Sequence, residues 1–197
     1  MVVLAYLLGS VPTAYIVGRL LKRVDIRTLG DRNMGAANTY REISPLAGIG
    51  VFIVDLSKGA VIVLIAKLAP VSETVVFLSG VAVVIGHNWP LFLGFKGGRG
   101  AATAMGVLLA LFPREMSILL VAAAITLRVT RRVTPACAIS FASLPFIAWT
   151  MGYSVALIAY SIGLPSLVGF THFLTTRSLP DISEEMIVHA NNSSGEK

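Results

Sequence analysis

Residues 86–103 place several chemically capable side chains in one short stretch between two apolar segments. The stretch reads GHNWPLFLGFKGGRGAAT and carries an imidazole at His87, an amine at Lys96 and a guanidinium at Arg99. Its glycines let the backbone approach a ligand closely, and the apolar helix that follows contributes its positive end. The stretch therefore predicts an anion site, with phosphate as the ligand, at the edge of a membrane. The alternative for His87 is a hydrogen-bonded position inside the helix packing.

A second polar stretch, residues 25–42, reads DIRTLGDRNMGAANTYRE. Its arginines can bind a phosphate in fork geometry, and the amides of Asn33 and Asn38 can donate to the same group. The alternative is a solvated basic connector between two membrane spans. Considered alone, the residues of this stretch leave both interpretations open.

Two ionisable residues interrupt the apolar segment IVDLSKGAVIV. Asp55 and Lys58 are three residues apart and therefore share one face of a helix. Each costs about 2.5–3.5 kcal/mol at the centre of a membrane helix unless it is paired or hydrated. They form either an ion pair that determines helix packing or the border of a polar cavity. Near the N-terminus, Ser10 lies in the segment GSVP, which suits either small-residue packing or a place in the site.

The composition indicates an integral membrane protein that folds as an all-α helix bundle. Apolar residues make up 55% of the 197 residues, charged residues only 13%, and the mean hydropathy is +0.80. Soluble domains usually carry about a quarter charged residues. We expect a single membrane domain at residues 1–179 and a polar cytoplasmic tail at residues 180–197.

Seven apolar segments predict about seven spans. They lie at roughly 1–20, 46–67, 72–93, 100–112, 115–128, 136–151 and 154–174. The fourth and fifth are short for a bilayer and suit a bent pair around Pro113. With the N-terminus outside and the C-terminus cytoplasmic, all of the 16 Lys and Arg residues except Lys67 and Arg114 fall on the cytoplasmic side.

Several function classes are disfavoured by the residues. The basic residues lie scattered at span ends, which argues against nucleic-acid binding despite the net charge of +6. Cys137 is the one cysteine and lies in an apolar segment, so no disulfide framework is expected. No nucleophile elbow, acyltransferase His-Asp motif or metal-ligand set is present, so we expect no metal or other cofactor. Any chemistry then depends on positioning and electrostatics.

Four ordered segments resemble the bacterial acylphosphate:glycerol-3-phosphate acyltransferases. These are GSVPTAYIVGRL, GDRNMGAANTYR, DLSKG and GHNWPLFLGFKGGRGAATAMGVLL, which together cover about residues 5–110. The resemblance implies a small polytopic enzyme of the bacterial inner membrane that begins phospholipid synthesis. It implies transfer of a fatty acyl group from acyl phosphate to the 1-hydroxyl of glycerol 3-phosphate, releasing lysophosphatidic acid and phosphate.

The resemblance also implies roles for individual residues. His87 and Asn33 are expected at the reacting centre, where a phosphate oxygen of the substrate takes the hydroxyl proton. The expected substrate-binding residues are Ser10, Asn38, Arg41, Lys58, Lys96, Gly97, Gly98 and Arg99, with the backbone N–H groups of the two glycines free to hold a phosphate.

The chain departs from the family pattern in places. The family loop usually reads GSGNIGATN, whereas this chain has Asp31, Arg32 and Ala37 in place of Ser, Gly and Thr. Asp31 is expected to oppose a bound phosphate unless Arg32 pairs with it. Arg99 replaces the usual Lys, and the basic C-terminal stretch is reduced to THFLTTRS. The alternatives are a divergent paralogue with another acceptor and a non-catalytic membrane anion transporter.

Overall fold

Helices form most of the computed structural model, which describes residues 1–177. The predicted polar tail at residues 180–197 lies outside this range. The nine α-helices of the described range are α1 (Val2–Gly9), α2 (Thr13–Lys22), α3 (Ala36–Glu42), α4 (Pro45–Leu68), α5 (Glu73–Asn88), α6 (Ala101–Leu111), α7 (Pro113–Thr130), α8 (Val133–Thr150) and α9 (Val155–Arg177). The all-helical class is thus confirmed.

Five helical stretches are long and apolar enough to cross a membrane. They are Val2–Lys22, Pro45–Leu68, Glu73–Leu93, Val133–Thr150 and Val155–Thr176. Helix α6 is shorter, at 11 residues, and α7 carries Arg114, Glu115 and Arg128 among its 18 residues. One residue separates α6 from α7, which begins with Pro113, so the chain does bend at the proline.

The first membrane stretch is broken into α1 and α2. Pro12 has no N–H group to donate, so regular helix hydrogen bonding stops at Ser10 and resumes at Thr13. The break leaves backbone carbonyls without helical partners inside an apolar protein. Such interruptions persist where other groups supply the missing hydrogen bonds.

Two pairs of helices cross at glycines. Gly9 of α1 and Gly86 of α5 each face backbone atoms of the other helix, and a Cβ on Gly86 would collide with the carbonyl of Tyr6. Gly59 of α4 and Gly106 of α6 pack against each other's helices in the same way. Side-chain-free positions let these backbones approach closely, which drives packing where water is absent.

The polar stretch 25–42 is folded rather than a bare connector. A 3₁₀ turn at Ile26–Thr28 and the short helix α3 occupy it, and neither was expected from the sequence. A small apolar cluster lies beneath it and ties it to α2 and α4; its buried members are Ala14, Ile26, Met34, Ile43 and Val51. Hydrogen bonds from Arg27 lower the pKa of Asp25 below its usual value and brace the turn. The stretch is therefore held against the helix bundle.

Gly86→Ala is expected to destabilise the protein. Its new methyl group meets the backbone of α1, so the two helices must separate, at a cost of about 1–3 kcal/mol. Gly163→Ala in α9 is the matched control, because nothing lies within 4 Å of a Cβ there. Thermal unfolding in detergent should show a lower midpoint for the first variant and an unchanged or higher one for the second. Equal midpoints would contradict the crossing described above.

Candidate functional site

Lys58 connects the broken helix to the bundle. Its ammonium donates to the freed carbonyls of Gly9 at 3.2 Å and Val11 at 3.4 Å. Its side chain is only 5% exposed, and Nζ lies 2.9 Å from Oδ1 of Asp55. Thr13, the first residue of α2, donates to the same carboxylate oxygen at 3.0 Å. Asp55 and Lys58 therefore form the expected ion pair, which also closes the helix break, and the border of a polar cavity stays a prediction.

The same ammonium orients His87. Nζ of Lys58 lies 2.9 Å from Nδ1 of the imidazole. An ammonium group can only donate, so Nδ1 is the acceptor and the proton of the neutral ring is on Nε2. Nε2 has no hydrogen-bond partner among residues 1–177 and faces Gly98. The buried imidazole thus accepts a hydrogen bond from Lys58 at Nδ1 and carries an N–H donor at Nε2.

Position 98 requires a glycine, because its backbone packs directly against this imidazole. A Cβ at this position would collide with Nε2 of His87 and would lie 2.7 Å from the carbonyl oxygen of Met34. The glycine therefore brings the two polar stretches, 25–42 and 86–103, into direct contact beside the imidazole. This close approach places both predicted loops at one site.

The expectation of free N–H groups at Gly97 and Gly98 is wrong. The N–H of Gly97 donates to the carbonyl of Asn88 at 3.1 Å, and that of Gly98 donates to the carbonyl of His87 at 3.1 Å. These bonds fold the glycine run back onto the end of α5. The run positions its neighbours instead of offering a row of unpaired donors.

Asn38 organises the first loop. Its fully buried amide donates to the carbonyls of Ile26, Leu29 and Asn33 at 2.9–3.2 Å, and its Oδ1 accepts from the backbone of Asp31. These contacts occupy the donors that were expected to hold a phosphate. Its binding role stays a prediction, and the role that its contacts support is shaping the loop around Asn33.

Asp31 pairs with two arginines, and Arg32 is not one of them. Oδ2 of Asp31 lies 3.1 Å from Arg41 and 3.6 Å from Arg99. Arg32, whose pairing with Asp31 was left open, is exposed and adopts a left-handed backbone (φ 54°) instead. The loops meet so that the two arginines expected to bind a phosphate converge on one carboxylate.

Two buried polar atoms beside this cluster have no hydrogen-bond partner within the described residues. They are Oδ1 of Asn33 and Nε of Arg99. Lys96 is exposed and makes no hydrogen bond or ion pair to any described residue. Buried polar atoms normally find partners. The cluster therefore retains both donor and acceptor capacity for a polar ligand.

Ser10 links the broken helix to the second loop. Its fully buried hydroxyl donates to the carbonyl of Tyr6 at 2.9 Å and accepts from the backbone of Leu91 at 3.4 Å. These contacts place Ser10 under the turn that follows His87. Substrate contact by this hydroxyl stays a prediction.

His172 of α9 also lies at the site, although it was not predicted from the sequence. Its electrostatic neighbours are Arg99 and Asp31. The preceding residue, Thr171, accepts a hydrogen bond from the Asn88 amide at 2.9 Å and so ties α9 to α5. The sequence feature that could have identified His172 is its position in THFLTTRS, the segment that stands where the family pattern has a more basic stretch.

Comparisons with known proteins agree along almost the whole chain. A family model described as glycerol-3-phosphate acyltransferase matches residues 1–179. Glycerol-3-phosphate acyltransferase 4 of Dehalococcoides mccartyi is 44% identical over 176 residues, covering 89% of this chain and 95% of the relative. A glycerol-3-phosphate acyltransferase of Synechococcus sp. is 38% identical over 171 residues, covering 86% and 84%.

Two solved structures share the fold. Both are crystal structures of PlsY, an integral membrane glycerol 3-phosphate acyltransferase. The glycerol 3-phosphate form superimposes with a TM-score of 0.79 at 31% identity, covering 94% of this chain and 96% of that one. The lysophosphatidic acid form gives a TM-score of 0.77 at 32% identity, covering 87% and 85%.

Lys58→Met is expected to be severely destabilising. The substitution leaves the Asp55 carboxylate buried without its cation, which costs about 3–5 kcal/mol. Adding Asp55→Asn should restore part of the loss, because the uncompensated charge is then removed. Lys67→Met is the control on the same helix, since Lys67 is exposed and its ammonium makes one hydrogen bond within residues 1–177, to the carbonyl of Ala110 at 3.3 Å. Unfolding midpoints in detergent that fall equally for both lysines would refute a special role for Lys58.

Proposed function

Because the chain belongs to the glycerol-3-phosphate acyltransferase family, we propose that it transfers a fatty acyl group from an acyl phosphate to the 1-hydroxyl of glycerol 3-phosphate. The products are lysophosphatidic acid and inorganic phosphate. The chain is accordingly a multi-pass membrane acyltransferase of phospholipid synthesis. The observation that carries the proposal is the convergence of two guanidinium groups and one oriented imidazole where the two polar loops meet.

Each substrate has a matching set of groups. Arg41 and Arg99 bind the phosphate of glycerol 3-phosphate, and the Asn33 amide orients the acceptor beside them. Lys96, which is unpaired among the described residues, binds the phosphate of the acyl donor. Charge-assisted hydrogen bonds of this kind are among the strong ones in proteins.

The acyl chain lies along an exposed apolar surface beside Lys96, formed by Leu91, Phe92 and Phe95. Leu91, Phe92 and Phe95 are 49%, 60% and 55% exposed, and they immediately precede that lysine in the chain. Apolar side chains next to a cation suit a substrate with a hydrocarbon chain and an anionic phosphate group. This surface supports a long-chain acyl phosphate as the donor.

The reaction proceeds without a side-chain nucleophile. The acceptor's 1-hydroxyl oxygen attacks the carbonyl carbon, a new C–O ester bond forms, and the bond from that carbon to the phosphate oxygen breaks. The Nε2–H of His87 donates to the carbonyl oxygen as negative charge develops there, while Lys58 holds the ring in this tautomer. A substrate phosphate oxygen takes the hydroxyl proton, and protonated phosphate leaves.

Phosphate release tests this function. Purified protein given palmitoyl phosphate should release phosphate only when glycerol 3-phosphate is present, and acylglycerol phosphate should accumulate in equal amount. Lys96→Ala should raise the KM for palmitoyl phosphate about ten- to a hundredfold, since a hydrogen bond to a charged group contributes about 1.5–3 kcal/mol. Lys22→Ala, on an exposed lysine bonded to the Glu42 carbonyl, should change it less than about twofold. Folded protein that releases no phosphate would refute the reaction.

We further propose seven spans, an outside N-terminus, and a site that faces the cytoplasm together with the C-terminus. The excess of Lys and Arg at the site's end of the bundle supports this orientation. Helix α4 separates that end from the loop at residues 69–72 by 24 residues, or about 36 Å.

Cysteine labelling tests this orientation. In a Cys137→Ser background, Ser72→Cys should react with an impermeant maleimide on spheroplasts, whereas Arg32→Cys should react only after lysis. Both positions are exposed in the structure, so access to the reagent differs only by membrane side. The reverse labelling pattern would overturn the orientation.

A further inference from the structure

The Asp31 carboxylate lies against the two arginines that the proposed function assigns to the acceptor phosphate. One oxygen, Oδ2, lies 3.1 Å from Arg41 and 3.6 Å from Arg99. The three residues come from different elements: the turn before α3, α3 itself, and the run before α6. Two guanidinium groups from separate elements thus converge on a single anionic oxygen.

The two arginine side chains differ in solvent exposure. The side chain of Arg99 is 17% exposed and that of Arg41 is 49% exposed. The Nε of Arg99 is buried with no partner among the described residues, so this group keeps an unused donor. The cation pair is therefore well placed to bind an anion but is already partly neutralised.

Asp31 itself is not locked in place. Its side chain is 32% exposed, and its other oxygen accepts one long hydrogen bond, from the Asn33 backbone at 3.3 Å. Exposed ion pairs typically contribute at most about 1 kcal/mol each. An incoming phosphate monoester, with nearly two negative charges and three acceptor oxygens, can replace the single carboxylate on both arginines.

We propose that Asp31 is a built-in competitor of the acceptor, whose carboxylate the acceptor's phosphate must displace from Arg41 and Arg99. The inference rests on the proposed function and adds a specificity-determining residue to it. Displacement lowers the apparent affinity for the acceptor and favours phosphate monoesters over acceptors that carry a single charge or none. The acyl donor, bound at Lys96, is unaffected.

Asp31→Asn tests the competition through a split between KM and kcat. The variant keeps the size and the acceptor oxygen of the side chain but removes the charge. We expect the KM for glycerol 3-phosphate to fall about three- to tenfold, with kcat within about twofold and the KM for palmitoyl phosphate unchanged. Asp31→Ser should behave alike and serves if the first variant folds poorly. An unchanged or raised KM for the acceptor would show that Asp31 only braces the loop.

Asp25→Asn is the matched control. Asp25 is also a loop carboxylate at this end of the bundle, but it pairs with Arg27 and Arg19. Its substitution removes the same charge without releasing Arg41 or Arg99. A fall in KM of equal size in this variant would mean that net charge alone acts, and it would overturn the proposal.

A second readout separates this proposal from the reaction itself. Inorganic phosphate should raise the unfolding midpoint of Asp31→Asn at a lower concentration than it does for the unaltered protein, without any acyl donor. If neither protein releases phosphate from palmitoyl phosphate but Asp31→Asn is stabilised at a lower phosphate concentration, the proposed reaction fails and the competition stands. If turnover is normal and the difference is absent, the competition fails and the reaction stands.

Discussion

The ammonium of Lys58 is the contact on which the site depends. It lies where a proline has interrupted the first membrane stretch, and it donates to the carbonyls of Gly9 and Val11 that the interruption releases. The same group pairs with Asp55 and determines the tautomer of His87. A buried charge with these partners is costly to lose, because the Asp55 carboxylate would remain buried without its cation and the Gly9 carbonyl without its donor. Stability and function are therefore linked at one side chain.

Around that centre, close backbone packing replaces the hydrophobic driving force of a soluble protein. Glycines at the crossing of α1 with α5 bring the broken helix and the imidazole together, and the ammonium of Lys58 from α4 contacts both. Gly98 then allows the second loop to lie directly on that imidazole and on the first loop. Close backbone contacts at these glycines thus complement the apolar cluster and the side-chain hydrogen bonds that hold the two loops.

The first loop carries its charged side chains on a frame that Asn38 holds. The Asn38 amide keeps the loop shape through hydrogen bonds to three carbonyls. Within that frame Asp31 meets Arg41 and Arg99, while Arg32 lies exposed with a left-handed backbone. A carboxylate placed between two arginines affects anion binding at those arginines more than it affects the fold, because exposed ion pairs contribute little to stability.

Features that depend on local composition could be predicted from the sequence. Hydropathy summed over short windows located the apolar helices, Pro113 marked the bend between α6 and α7, and the motif residues identified both polar loops. The side-chain partners could not be predicted without the folded structure: Lys58 contacts His87, Asp31 pairs with Arg41 and Arg99, and His172 lies near Asp31 and Arg99. The N–H groups of Gly97 and Gly98 likewise proved to be used by the backbone. Partner choice depends on which helix ends meet and on backbone dihedral angles, and neither is a property of a local window.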